Sequence, residues 1–93
     1  MQVSEPVEQK EPSKEVKVTI ARYAFSPKVV EINVGDTVIW ENLGKTYHAL
    51  TSHEFQSKPL YQNDQFSHKF TKKGNFTYNS QTYPATQGLV VVN

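Results

Sequence analysis

From Val16 to Val92 the chain keeps returning to a period of two, and that alternation is what most limits the fold it can adopt. Val16, Val18 and Ile20 alternate with Lys17 and Thr19, and Val30, Ile32 and Val34 alternate with Glu31 and Asn33. Successive side chains on an extended strand point to opposite faces. Each run therefore reads as a strand with one face in a core and the other in water. Val38 and Trp40 share one face of a third run, with Ile39 between them. Phe66, His68 and Phe70 alternate with Ser67 and Lys69, and Phe76, Tyr78 and Ser80 lie opposite Thr77 and Asn79. Leu89-Val90-Val91-Val92 reads as a closing apolar strand. Gly35-Asp36, Asn42-Leu43-Gly44 and Lys72-Lys73-Gly74-Asn75 supply turn residues between the runs. No segment holds a helical period of useful length. Short strands separated by turns predict an all-β, antiparallel sandwich.

The alternation starts only after residue 15. Residues 1–15 hold Pro6, Pro12, Glu5, Glu8, Glu11, Glu15, Lys10 and Lys14 with isolated valines, and read as a flexible polar arm. Residues 16–93 form the predicted domain. Its bulk comes from aromatic residues, five Phe, five Tyr and one Trp in 93 residues. Ten Lys plus Arg against nine Asp plus Glu leave a formal charge of +1, without the basic excess of a nucleic-acid binder. The chain has no Cys, so it has no disulfide, thiolate ligand or thiol nucleophile. No apolar run is long enough to cross a bilayer, and no signal-peptide core is present. Met1 opens directly onto polar sequence, which reads as a cytosolic protein or as an exported one whose leader has been replaced by a start Met.

Several stretches resemble the cupredoxins, the blue-copper proteins that include plastocyanin and amicyanin. Phe25-Ser26-Pro27 through Gly35-Asp36-Thr37-Val38-Ile39-Trp40-Glu41-Asn42 is similar to the front half of that family. Tyr47-His48-Ala49-Leu50-Thr51-Ser52 resembles the segment bearing its first His ligand. Phe66 to Tyr78 resembles the strand pair leading to the ligand loop, and Gly88 to Val92 the last strand. The resemblance spans about residues 16–93 and implies a Greek-key cupredoxin-like β-sandwich in a periplasmic or extracellular setting. It also implies that Asn42 ties the ligand-bearing loops together, through the backbone near Gln81.

The ligand loop departs from the family pattern Tyr-x-Cys-x-x-His-Pro-x-Met-x-Gly. Here it reads Tyr78-Asn79-Ser80-Gln81-Thr82-Tyr83-Pro84-Ala85-Thr86-Gln87-Gly88. The Tyr, Pro and Gly framework keeps its register. Ser80, Tyr83 and Thr86 occupy the positions of the Cys, second His and Met, and only His48 keeps its ligand identity. A blue-copper centre takes two imidazoles, a thiolate and a weak axial thioether. A serine hydroxyl is hard and ionises far above neutrality, a tyrosine phenol ionises near pH 10, and threonine has no thioether. No type 1 copper is therefore expected, and copper binding is expected to be weak or absent. Ser80, Tyr83, Thr86 and His48 are expected to form a hydrogen-bonded cluster, because buried hydroxyls need partners.

The same sequence offers residues for other kinds of site. His48, His53 and His68 together could hold Cu(II) or Zn(II), but their spacing matches no metal motif. Ser80 beside His48 suggests a hydrolase dyad, yet no Gly-x-Ser-x-Gly elbow surrounds the serine, and the chain is read as no enzyme. Lys45, Lys58, Lys69, Lys72 and Lys73 are solvated surface or a basic docking face. The resemblance implies that Tyr83, Pro84 and Ala85 form a protein-contact patch on a monomer. Two readings stand: a binding or scaffold module with a degenerate copper site, or a copper- or zinc-binding protein with a nonstandard site around His48.

Overall fold

A computed structural model describes residues 13–93; most of the polar arm predicted for residues 1–15 lies outside the described residues. The elements are β1 (Glu15–Ala21), β2 (Ala24–Ser26), β3 (Val29–Ile32), β4 (Thr37–Asn42), β5 (Leu50–Thr51), β6 (Gln65–Lys69), β7 (Gly74–Ser80) and β8 (Gln87–Val92). No helix occurs among the described residues. Two four-stranded sheets, ordered β2-β1-β4-β6 and β3-β8-β7-β5, face one another as a sandwich.

The sandwich is as expected, but its sheets are mixed rather than antiparallel. β1 runs parallel to β4 with Val18 opposite Trp40, and β3 runs parallel to β8 with Val30 opposite Val90. The remaining pairs are antiparallel. Parallel neighbours are joined by long connections that pass through the other sheet, so no local turn residue announces them. The chain first changes sheets at Ser26–Pro27, a cis peptide. Pro27 has no N–H to extend the ladder, which stops β2.

The period-two faces meet in the core. Val18 and Ile20 from β1, Val38 and Trp40 from β4, and Val90 from β8 are wholly buried. Burying each contributes about 1.5–3 kcal/mol. The Trp40 ring packs against Phe55 at 5.0 Å, Tyr78 at 5.2 Å and Phe66 at 5.8 Å between centroids. Gly88 lies opposite Tyr78 on β8. A Cβ there would sit 2.4 Å from the phenol ring, so only glycine admits the tyrosine. Val34 departs from the expected strand face. β3 ends at Ile32, and Val34 lies exposed in the turn to β4. The Asp36 carboxylate causes this by accepting the N–H of Asn33 at 2.9 Å, which draws the chain out of the strand. Phe55 and Leu60 are buried although they lie in irregular chain, where no alternation marks them.

Candidate functional site

β1, β4, β5 and β7 deliver four connections to one end of the sandwich: the turn Arg22–Tyr23 and the segments 43–49, 52–64 and 81–86. His48 sits among them, wholly buried. An isolated antiparallel bridge fixes it: its N–H donates to Leu60 O at 3.1 Å and its carbonyl accepts from Leu60 N–H at 2.8 Å. Those bonds turn the imidazole inward. Its Nδ1 lies 2.8 Å from Ser80 Oγ, and its Nε2 meets the Arg22 carbonyl oxygen.

The pairing assigns the protons. A carbonyl oxygen only accepts, so Nε2 carries the hydrogen, and Nδ1 keeps the lone pair that accepts the Ser80 hydroxyl. Ser80 Oγ in turn accepts the Tyr83 N–H at 3.1 Å. Ser80 closes β7, where its N–H donates to Thr86 O at 2.9 Å, and Thr86 N–H donates to Tyr83 O at 2.8 Å. The loop 81–86 is thus closed on itself. It is tied to the His48 segment by Gln81 N–H donating to Ala49 O at 2.6 Å.

Tyr83 lies over the site. Its ring meets Tyr23 edge-on at 4.9 Å and tilts against His48 at 5.4 Å. Pro84 and Ala85 are exposed beside it. The structure therefore brings the four predicted residues together, but not as one side-chain cluster. Among these four, His48 and Ser80 share the only side-chain to side-chain bond. Tyr83 joins through its N–H and its ring. The Thr86 hydroxyl turns away and donates to Tyr23 O at 3.1 Å, because that carbonyl lies within its reach.

Asn42 also differs from expectation. Its side-chain N–H groups donate to Thr46 O and Leu60 O, both at 2.8 Å, and its Oδ1 accepts Gly44 N–H at 3.0 Å. It ties segment 43–49 to segment 52–64 and makes no bond to Gln81. Both of its donors are satisfied at the end of β4 before the ligand loop is reached.

The other histidines stand apart. His53 is exposed and stacks on Phe76 at 5.5 Å. His68 faces Glu54 at 3.4 Å and packs on Phe70. Among the described residues no group of three or more His, Cys, Asp or Glu side chains is placed to hold a metal ion, so the three-histidine site does not form. The Ser80–His48 pair has the relation of a nucleophile to a base, but both are wholly buried, and a substrate reaches Ser80 Oγ only if the loop 81–86 opens.

Below the site, Trp40 Nε1 and Tyr78 Oη are buried without hydrogen-bond partners among the described residues. Burial pushes the Tyr78 phenol up to about 12, and the adjacent Trp40 indole pulls it partly back. Sequence reasoning missed Arg22 and Tyr23. They hold His48 and Thr86 through main-chain carbonyls, and such a role leaves no mark on side-chain identity.

A family model described as a cupredoxin-like domain matches residues 1–92. Among solved structures, a purple cupredoxin from Nitrosopumilus maritimus is 31% identical over 84% of this chain and 99% of its own, with a TM-score of 0.81. An oxidised amicyanin mutant is 25% identical over 84% of this chain and 81% of its own, with a TM-score of 0.80. No curated protein sequence matches.

Proposed function

This chain belongs to the cupredoxin-like domain family, and on that premise we propose that it is a non-redox, non-catalytic binding or scaffold module whose metal position is closed by hydrogen bonds. The observation that supports this reading best is the 2.8 Å contact between His48 Nδ1 and Ser80 Oγ. Nδ1 holds the ring's only lone pair, and a hydroxyl already occupies it. The residues present do not fit a type 1 copper centre, which needs a thiolate and two imidazoles. The chain has no Cys, Tyr83 contributes a ring and an N–H rather than an imidazole, and the Thr86 hydroxyl is spent on Tyr23.

What such a module offers is its surface. Tyr83, Pro84 and Ala85 border the closed site and provide a protein-contact patch. The reading further takes the chain as a monomer in a periplasmic or extracellular setting, as its resemblance to exported cupredoxins implies. No helix among the described residues is long and apolar enough to cross a membrane.

A second reading, a copper- or zinc-binding protein, draws on the same contact. His48 Nδ1 holds a lone pair that a metal ion could take in place of the Ser80 hydroxyl, and Tyr83 lies against the same ring. Titration with Cu(II) and with Zn(II), followed by calorimetry and electron paramagnetic resonance, separates the two. The scaffold reading expects weak or no binding, unchanged in His48→Ala. Tight one-to-one binding that His48→Ala abolishes would overturn it and install the second.

A further inference from the structure

We propose that the paired rings of Tyr47 and Tyr61, rimmed by Leu43, Arg22, Lys45 and Lys58, form a docking face for an acidic segment of a partner protein. The inference rests on the binding-module reading and names the chemistry of the partner.

The bridge that buries His48 and Leu60 also builds this face. Residues beside a bridged pair point the opposite way, so Tyr47 and Tyr61 emerge together on the outside. Their ring centroids are 5.4 Å apart, and the residues are 43% and 59% exposed. Leu43, 48% exposed, lies on the same segment as Tyr47. Gly44 lies directly against the Arg22 backbone, where a Cβ would come within 2.9 Å of Arg22 N. That close approach brings the Arg22–Tyr23 turn beside the segment, with the Arg22 guanidinium over the Tyr23 ring, 5.7 Å from its centroid. Isolated exposed hydrophobic residues are ordinary, but adjoining tyrosines beside arginine and leucine are the composition of a binding centre.

Charge selects the occupant. Arg22, Lys45 and Lys58 make no ion pair among the described residues. Of the carboxylates in the same region, one is paired with a lysine and two are held by hydrogen bonds that leave their charge in place. Glu41 pairs with Lys17, Glu54 faces His68, and Asp64 accepts the Tyr61 N–H at 3.0 Å. The face is apolar at its centre, with three cations and the single Asp64 carboxylate at its edge, and the cationic excess favours a complement with carboxylates around an apolar side chain. A formal charge of +1 for the whole chain favours a protein segment over a nucleic acid.

The test is nuclear magnetic resonance mapping on the full chain with a synthetic peptide of repeated Glu-Glu-Leu. A Lys-Lys-Leu peptide of equal length, phosphatidylserine vesicles and single-stranded DNA serve as comparisons. The proposal predicts perturbations centred on Tyr47, Tyr61 and Lys45, found with the acidic peptide alone and weakened by salt. Tyr47→Ser with Tyr61→Ser, both at exposed positions, is expected to weaken binding at least about tenfold, and Lys45→Glu with Lys58→Glu to abolish it. Perturbations confined to the Tyr83 loop would overturn this face while leaving the binding-module reading standing. No binding, equal binding of the basic peptide, or stronger binding of vesicles or DNA would overturn it too. The copper titration tests the module reading separately.

Discussion

The two ends of the sandwich each bury a polar side chain to tie segments together, and they do it with different chemistry. Beneath β4, the Asp36 carboxylate accepts the N–H groups of Lys14 and Asn33, each at 2.9 Å. Those bonds hold its carboxyl below the usual Asp range. Above β4, His48 passes a hydrogen bond from Ser80 to the Arg22 carbonyl with no formal charge in the relay. The lower tie is a charged acceptor satisfied by main-chain donors 3 and 22 positions away. The upper tie joins residues 26 and 32 positions apart in the chain. A charge-assisted staple to main-chain donors tolerates changes of side chain at its partners, whereas a neutral side-chain relay depends on every member being present. The upper end carries the positions that the resemblance matches to the family's ligands, and there hydrogen bonds connect the loops.

The largest break in this comparison turns the relay into a metal centre. Ser80→Cys, Tyr83→His and Thr86→Met together are expected to give a blue chromophore with Cu(II), because loop length and register already match the family pattern. A colourless triple variant that is folded and mixed with copper would refute that register. Next in size is His48→Ala, which leaves a cavity and strands the Ser80 hydroxyl and the Arg22 carbonyl. It is expected to cost about 3–4 kcal/mol in urea unfolding, and a loss below about 1 kcal/mol would show that the relay carries little.

Asp36→Asn tests the lower end. It keeps the shape but loses the charge, at an expected cost of about 1–2 kcal/mol, trimmed by nearby solvent. The folded carboxyl titrates below its ordinary value of 3.8, so its contribution is present above that pH and is lost as pH falls through the folded value. The difference between wild type and Asp36→Asn should therefore shrink on acidification in a pH series of unfolding curves.

The smallest effect sits between the ends. Tyr78 Oη has no partner, so Tyr78→Phe should change stability at neutral pH by no more than about 0.5 kcal/mol. The folded phenol titrates at about 12 against an ordinary 10.0, so its neutral form supports the fold fully below pH 10.0, and that support is lost as pH rises to about 12. Wild type should weaken across that window and Tyr78→Phe should not.

How much of this was legible in the chain follows from the kind of contact. The strands showed themselves wherever one face is buried and the other wet, as at Val18, Ile20, Val38 and Trp40. The parallel pairing of β1 with β4 did not show, because it depends on a crossover through the other sheet. At the site, the resemblance to the cupredoxin ligand loop pointed to His48, Ser80, Tyr83 and Thr86, and the structure gathers them. Their bonds were less legible. The Arg22, Tyr23 and Ala49 carbonyls take part as main-chain groups that any residue possesses, so the links of His48, Thr86 and Gln81 to them could be seen only in three dimensions. Tyr47 and Tyr61 became a pair only through the His48–Leu60 bridge.

The central claim is that the His48 lone pair belongs to Ser80. Long-range 15N–1H correlation spectra of His48, recorded alone and with one equivalent of Zn(II), test it directly. The account predicts a protonated Nε2, an unprotonated Nδ1 that accepts a hydrogen bond, and no change when the metal is added. A proton on Nδ1, or a stoichiometric shift of Nδ1 with Zn(II), would contradict it.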